Sequence, residues 1–307
     1  MTQAEHAAAP PPGQVEWLST APAIRRVIAP NPSPMTFWGT NSYILGRGEV
    51  AVIDPGPEDP AHLAALQAAL APGERISHIF VTHPHLDHSP GARPLARATG
   101  AQVHAFGPAR AGQSPVMRAL MEQGLAAGGE GVDHGFAPDV RLADGAVVEV
   151  NSWHLTALHT PGHMASHMSF AMEGHVFTGD HVMGWASSLI SPPDGDLTRF
   201  MASCRALMAR NDVAYYPGHG APVADPAARL AWLVEHRLAR EAAILAALAQ
   251  AGGADVADLT ARVYTDTPRA LLAMAQRNVF AHLIDLVGRG KVVARPRLAL
   301  NARFSLM

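Results

Sequence analysis

The sequence predicts an α/β fold of the α+β kind. Two β-sheets pack face to face with helices on both outer sides, and a small module of helices and a hairpin follows. Three observations carry this expectation. Short β-like runs, broken by Gly, Pro, Asn and Asp, fill the first two-thirds of the chain. Helical runs stand between them and close each half. Near residue 229 the composition shifts to Ala- and Leu-rich amphipathic stretches.

Taken in order, residues 1–20 hold neither a basic start nor an apolar stretch typical of export signals, and read as a disordered tail. Residues 21–228 form the expected catalytic domain and 229–307 the C-terminal module. RRVIAP, NSYILGRG and EVAVIDPG read as strands, with GRG as a turn. DPAHLAALQAAL carries Ala and Leu at helical spacing, with Asp59 as N-cap and Pro60 at the first helical position. ISHIFV is a strand, residues 92–99 a helix and AQVHAF a strand. Residues 109–137, rich in Gly and poor in pattern, read as a loop or lid. DVRL, AVVEV, WHLTALHT, HMSFAM and HVFTGD are short strands; DLTRFMASCRALMAR is a helix, and VAYYPGHG a strand entering a loop. After 229, RLAWLVEHRLAREAAILAALAQ, VADLTARVY and RALLAMAQRNVFAHLIDLVGRG read as helices, and KVVARPRLALNARFSL as two strands. Three helices and a hairpin are the pattern of a winged helix.

Composition bounds the function. Of 307 residues, 48% are apolar and 16% charged, enough for a sizeable core. No apolar run reaches a membrane span. Cys204 is the sole cysteine, so no intramolecular disulfide forms and a cytoplasmic location is expected; Cys204 itself reads as a buried spectator on a helix. Net charge is −3, but residues 229–307 carry eleven basic and six acidic side chains, a net of +5 against −8 for the rest. That asymmetry can mark a partner-binding segment.

The histidines carry the chemistry. THPHLDH, Thr82 to His88, follows a predicted strand, where sites in α/β sheets form. His83 and His85 can point to one side of extended backbone. Asp87 and His88 sit where the chain turns toward the next helix and can address a second point. Neutral imidazole and carboxylate are ligands for Zn²⁺ and similar ions. HTPGH at 159–163, FTGDH at 177–181 and YPGHG at 216–220 each place a metal-ligating residue type on a glycine-containing turn after a strand. Any one of them could be an ordinary turn; four such segments together point to a metal site.

These motifs resemble the metallo-β-lactamase superfamily over roughly residues 24–228: HxHxDH at 83–88, then His163, Asp180 and His219. The resemblance implies a four-layer αβ/βα sandwich with two divalent metal ions. One would be held by His83, His85 and His163, a second by Asp87, His88 and His219, with Asp180 bridging. Zn²⁺ is favoured, and Mn²⁺ or Fe also fit nitrogen and oxygen ligands. Two such ions lower the pKa of a shared water, so a bridging hydroxide is available for hydrolysis, and Asp87 is expected to orient it and take its proton. His159 and His167 are expected to support the ligands or to pack; His181 and Trp185 are candidates for facing the substrate. His104 is a weaker candidate, and the remaining histidines read as ordinary.

The winged-helix-like tail, the run APNPSPMTFWGTNSYILG, the VIDPGP segment and the Asp180–His219 spacing resemble the β-lactamase-like protein 2 group, whose better-known member is a single-strand endoribonuclease. Three functions follow as expectations. The first is cleavage of single-stranded RNA, with tail arginines such as Arg295 and Arg297 on its phosphates. The second is hydrolysis of a small ester, thioester or lactone, with the tail serving for packing or for a homodimer. The third, disfavoured by so complete a metal set, is duplex DNA binding without turnover.

Overall fold

The computed structural model describes residues 10–126, 131–150 and 153–307. Among them the N-terminal half builds one sheet from β1 (Val15–Thr20), β2 (Ala23–Ile28), β3 (Asn41–Leu45), β4 (Glu49–Ile53), β5 (Arg75–Phe80), β6 (Gln102–Ala105) and β7 (Val140–Arg141), paired in that order. β1 to β4 are antiparallel neighbours; β4 to β7 run parallel. Parallel neighbours need crossovers. Helices α1 (Pro60–Ala68) and α2 (Ala92–Thr99) supply two of them. As predicted, Pro60 opens α1 and the Asp59 carboxylate caps it, accepting from the His62 N–H at 2.8 Å.

Strand β1 corrects the expected tail. Val15–Thr20 pairs with β2, its Trp17 ring lies under the guanidinium groups of Arg25 and Arg47, and Glu16 bonds Arg26 at 2.6 Å. As an edge strand it is half-exposed, so its apolar pattern is weak. Residues 1–9 of that tail lie outside the described residues. The segment read as a loop also contains a helix, α3 (Pro115–Glu122).

The second sheet orders β12 (Ala214–Pro217), β11 (His175–Gly179), β10 (Met168–Met172), β9 (Trp153–His159) and β8 (Val147–Val150). Helix α4 (Leu197–Met208) connects the parallel pair β11 and β12. Tyr43, Phe80, Phe170, Phe177 and Tyr216 fill the space between the sheets. Each such ring contributes about 1.5–3 kcal/mol by leaving water. Leu63, Leu66 and Leu95 of α1 and α2 cover the outer face of the first sheet. Phe200 and Cys204 of α4 cover that of the second, with Cys204 buried as expected. The result is the four-layer sandwich that the sequence predicts.

Helix α5 (Pro226–Ala251) starts on Asp225 as N-cap and joins the two parts. Leu230 and Leu233 pack in the layer over the second sheet, whereas Ile244 and Leu248 enter a separate core. That core is shared with α6 (Val256–Val263), α7 (Leu272–Gly288) and the hairpin β13 (Val292–Arg295) and β14 (Arg303–Leu306). Met117 and Leu120 of α3 pack into it too. This is the pattern of three helices and a hairpin read from the sequence. No helix among the described residues is long and apolar enough to cross a membrane.

Candidate metal centre

The site sits where both sheets end. Parallel strands β5, β11 and β12 release their chains at one edge, and the loops that follow carry Val81–His88, Asp180 and His219. The turn between β9 and β10 adds His163. Sheet geometry therefore brings together residues up to 136 positions apart in sequence, from His83 to His219.

The side chains form two contiguous groups. His83 Nε2 and His85 Nδ1 lie 2.9 Å apart, and His163 Nε2 is 3.1 Å from the same His85 nitrogen. His88 Nε2 is 3.3 Å from His219 Nε2, and Asp87 Oδ2 stands 3.2 Å from His219 and 3.4 Å from His88. Asp180 lies between the groups, with Oδ2 at 3.8 Å from His163 and 3.4 Å from His219, and Oδ1 at 3.5 Å from His88. A cation bound tetrahedrally at about 2.0–2.1 Å spaces its ligand atoms about 3.3 Å apart. The groups match that spacing: among the described residues they are His83–His85–His163, Asp87–His88–His219 and, between these, His83–His88–Asp180.

The outer atoms support the same reading. A ligating imidazole usually donates its other N–H to an oxygen, which fixes the ring and the tautomer. His163 Nδ1 donates to the Leu189 carbonyl at 2.8 Å, and His219 Nδ1 to the Gly39 carbonyl at 3.2 Å. His88 Nδ1 donates to Asp54 Oδ2 at 2.9 Å. The Thr82 hydroxyl donates to Asp54 at 2.7 Å and so accepts from His83 Nδ1 at 3.0 Å. In the His83–His85–His163 group the inward nitrogens then face one another as lone pairs, an arrangement that a shared cation relieves. Asp180 Oδ1 is buried with no hydrogen-bond partner among the described residues. The donor set of imidazoles and carboxylates thus fits divalent ions.

Electrostatics agree. Burial, then the neighbouring imidazoles, hold His83 well below the usual histidine range; burial, then His163, puts His85 at about 3. For His88 and His219, burial is outweighed by the carboxylates of Asp87 and Asp180, and His219 rises to about 9. Burial is likewise outweighed at Asp87, where His88 and His219 hold the carboxyl well below its ordinary value. The cluster attracts positive charge, which ions would supply in place of protons.

Glycine at 218 permits the close approach. A Cβ there would meet Asp180 Oδ1 at 2.4 Å and His88 Cε1 at 2.7 Å.

The other sequence candidates divide. His167 accepts from the Asp180 backbone N–H at 3.2 Å and bonds Thr160 Oγ1 at 3.0 Å, so it positions Asp180. His159 stacks on Phe106 and bonds the Ala165 carbonyl at 3.0 Å, bracing the turn that carries His163. His181 does not face the substrate side. Its ring lies against Phe200 and within 3.6 Å of Cys204 Sγ, under α4, because a turn closed by the His181 N–H on the Thr178 carbonyl follows β11. His104 stays beside Phe80 and His78, away from the cluster. Trp185 stacks on Phe37 at 4.8 Å and lines a cavity of about 310 Å³. Met35, Met183, Leu189, Leu271 and Met274 share the lining, the last two from the C-terminal module. The segment expected as a loop or lid touches the ligand loop: Leu86 N–H donates to the Gly131 carbonyl and Asp133 N–H to the Pro84 carbonyl, both at 2.8 Å. Residues 127–130 of that segment lie outside the described residues.

Two participants escaped the sequence reading. Asp54 supports both His83 and His88, and its only signal was an acid at the end of a strand in VIDPG. Thr40 donates to Asp87 Oδ2 at 3.5 Å and accepts from Asn31 Nδ2 at 3.0 Å.

Comparison with known proteins accords with this geometry. Residues 35–219 match the model of the metallo-beta-lactamase superfamily, and residues 256–297 that of the beta-lactamase associated winged helix domain. The beta-lactamase-like protein 2 homolog of Caenorhabditis elegans is 30% identical over 283 residues, covering 91% of this chain and 88% of the relative. The atrochrysone carboxyl ACP thioesterase AgnL7 of Paecilomyces divaricatus is 32% identical over 250 residues, 80% of this chain and 69% of that one. A beta-lactamase domain protein from Burkholderia ambifaria has the same fold, with a TM-score of 0.80 at 19% identity, across 99% of this chain and 96% of its own.

Proposed function

The chain belongs to the metallo-beta-lactamase superfamily, a family of hydrolases, and from that premise we propose that it hydrolyses a small ester or thioester with an apolar acyl part at a dinuclear metal centre. His83, His85 and His163 would hold one ion, Asp87, His88 and His219 the other, with Asp180 between them. The donors carry no thiolate, so Zn²⁺ suits them, as do Mn²⁺ and Fe. Ions there would supply an activated water near neutral pH and polarise the substrate carbonyl. Asp87 is the catalytic residue in this reading. Its carboxylate, a quarter exposed, is held by Thr40 and is placed to orient the attacking water and carry its proton.

The observation that carries the acyl substrate is the apolar cavity lined by Trp185 and Leu189, which border the candidate metal centre at Gly220 and His163. Among the described residues its lining contains neither lysine nor arginine. An RNA-cleaving site needs cations along the phosphate track. Arg297 instead lines a different cavity, beside Leu120 and Leu300, and Arg295 is exposed on the end of β13. Relatives named as ACP thioesterases favour the same substrate class.

The test is a panel of acyl thioesters, esters and lactones beside a short single-stranded RNA, using metal-loaded protein and its Asp87→Ala variant. Acyl hydrolysis is expected to fall by about 10² to 10⁴ in the variant, with its circular dichroism unchanged. RNA cleavage that charge reversal at Arg295 and Arg297 abolishes, with no acyl turnover, would overturn the proposal in favour of the phosphodiesterase.

A further inference from the structure

We propose that the 310 Å³ cavity is the binding site for a linear, medium-length acyl chain, and that the C-terminal module sets the length it accepts. This rests on the acyl-hydrolase reading and goes beyond it by naming the chain and its gauge.

The cavity lies against the metal centre at two residues. Leu189 lines it and holds His163 through its carbonyl. Trp185 lines it and packs on the residue after His219: a Cβ at Gly220 would meet Trp185 Cδ1 at 2.7 Å, so only glycine admits the indole there. In this proposal an acyl carbonyl lies at the candidate metal centre and its apolar substituent runs past Trp185 and Leu189 into the cavity.

The opposite wall comes from another part of the fold. Leu271 lies at the end of the short 3-10 turn Arg269–Leu271, and Met274 follows one turn into α7. Both are partly exposed, while their helix is anchored by buried Val279, Phe280 and Leu283. Methionine is flexible and fits irregular apolar partners. Such a wall holds a chain by surface burial, and its reach is set by the side chain at 274. At about 30 Å³ for each water-sized group, the cavity takes a chain on the order of six to ten carbons.

The experiment compares metal-loaded wild type, Met274→Trp and Met274→Ala on thioesters of increasing acyl length, from acetyl to dodecanoyl. Binding of octan-1-ol to the metal-free proteins is measured by calorimetry. Met274→Trp is expected to cut kcat/KM for octanoyl by about tenfold or more with acetyl little changed, and to weaken octanol binding. Met274→Ala is expected to move the optimum to longer chains; since alanine favours helix, it carries the test should the tryptophan variant misfold. Length profiles and octanol affinities equal to wild type in the folded variants would overturn the proposal. If wild type hydrolyses no acyl substrate but octanol binding still follows residue 274, the hydrolase reading fails while the apolar-chain site stands.

Discussion

At the scale of single residues, Asp54 bears more than its position suggests. It lies at the end of β4, in left-handed backbone at φ 50°, and is 2% exposed. One carboxylate oxygen accepts from the Thr82 backbone N–H at 2.7 Å; the other accepts from the Thr82 hydroxyl and from His88 Nδ1. It therefore fixes one ring in each proposed ligand triad. Asp54→Asn keeps the shape but puts an amide where two donors converge. Metal affinity is expected to fall about 10- to 100-fold at both positions, read by competition with a chromogenic chelator. A loss at the position of His88 alone would mean that the Thr82 relay to His83 carries nothing. The seven proposed ligands were legible in sequence because metal ligands must be particular residue types on particular turns. Asp54 was not, since its partners are 28 and 34 residues away and an aspartate before Pro-Gly reads as a turn. His181 misled for a related reason: adjacency to Asp180 said nothing of which way its ring points.

At the scale of elements, α5 and α7 clamp the loop between β11 and α4. Arg229 donates to the Met183 carbonyl at 2.6 Å and the Ala186 carbonyl at 2.7 Å. Arg237, 2% exposed, donates to the Ser188 carbonyl and to Asn278 Oδ1, which also accepts from the Ile190 N–H at 3.3 Å. Leu189, between these anchors, holds His163. Arg237→Met would leave the Ser188 carbonyl short of its donor, at a cost of about 1–3 kcal/mol. A lower Tm is expected, and a two-step metal titration should show the position of His163 weakened more than that of His219. Equal weakening at both would show a general loss of stability instead. Arginine on an apolar helix reads in sequence as a solvated side chain, and only the packed loop reveals its role. The same limit hid β1 and α3: one is a half-exposed edge strand, and the other draws its stability from Ile244 and Phe280 in a distant core.

At the scale of the whole molecule, two buried histidines in different layers give the fold a common response to acid. His62 on α1 is lowered to about 4 by burial. His282 on α7 is lowered to about 3, by burial first and Arg237 second, with His236, Arg289 and Arg240 adding to it. Both side chains have ordinary values near 6.5 in the unfolded chain. As pH falls through 6.5 the unfolded chain therefore takes up protons first. Their contribution to stability is fully present above pH 6.5 and is lost progressively down to about pH 3 to 4, below which both states are protonated. On the order of 3 kcal/mol for His62 and 5 kcal/mol for His282 is at stake across that window, a large part of a typical net stability of about 5–15 kcal/mol. Urea midpoints should fall clearly between pH 7.5 and 5.0. His282→Leu should shrink that fall, because it removes one of the buried histidines that protonate on unfolding; acid release of metal acts alike on both proteins and cancels in the comparison. An unchanged pH dependence in His282→Leu would mean that α7 opens locally and lets the imidazole titrate without unfolding the sandwich. The winged-helix core would then be the less stable unit, and the acyl-chain wall that it supplies would loosen first.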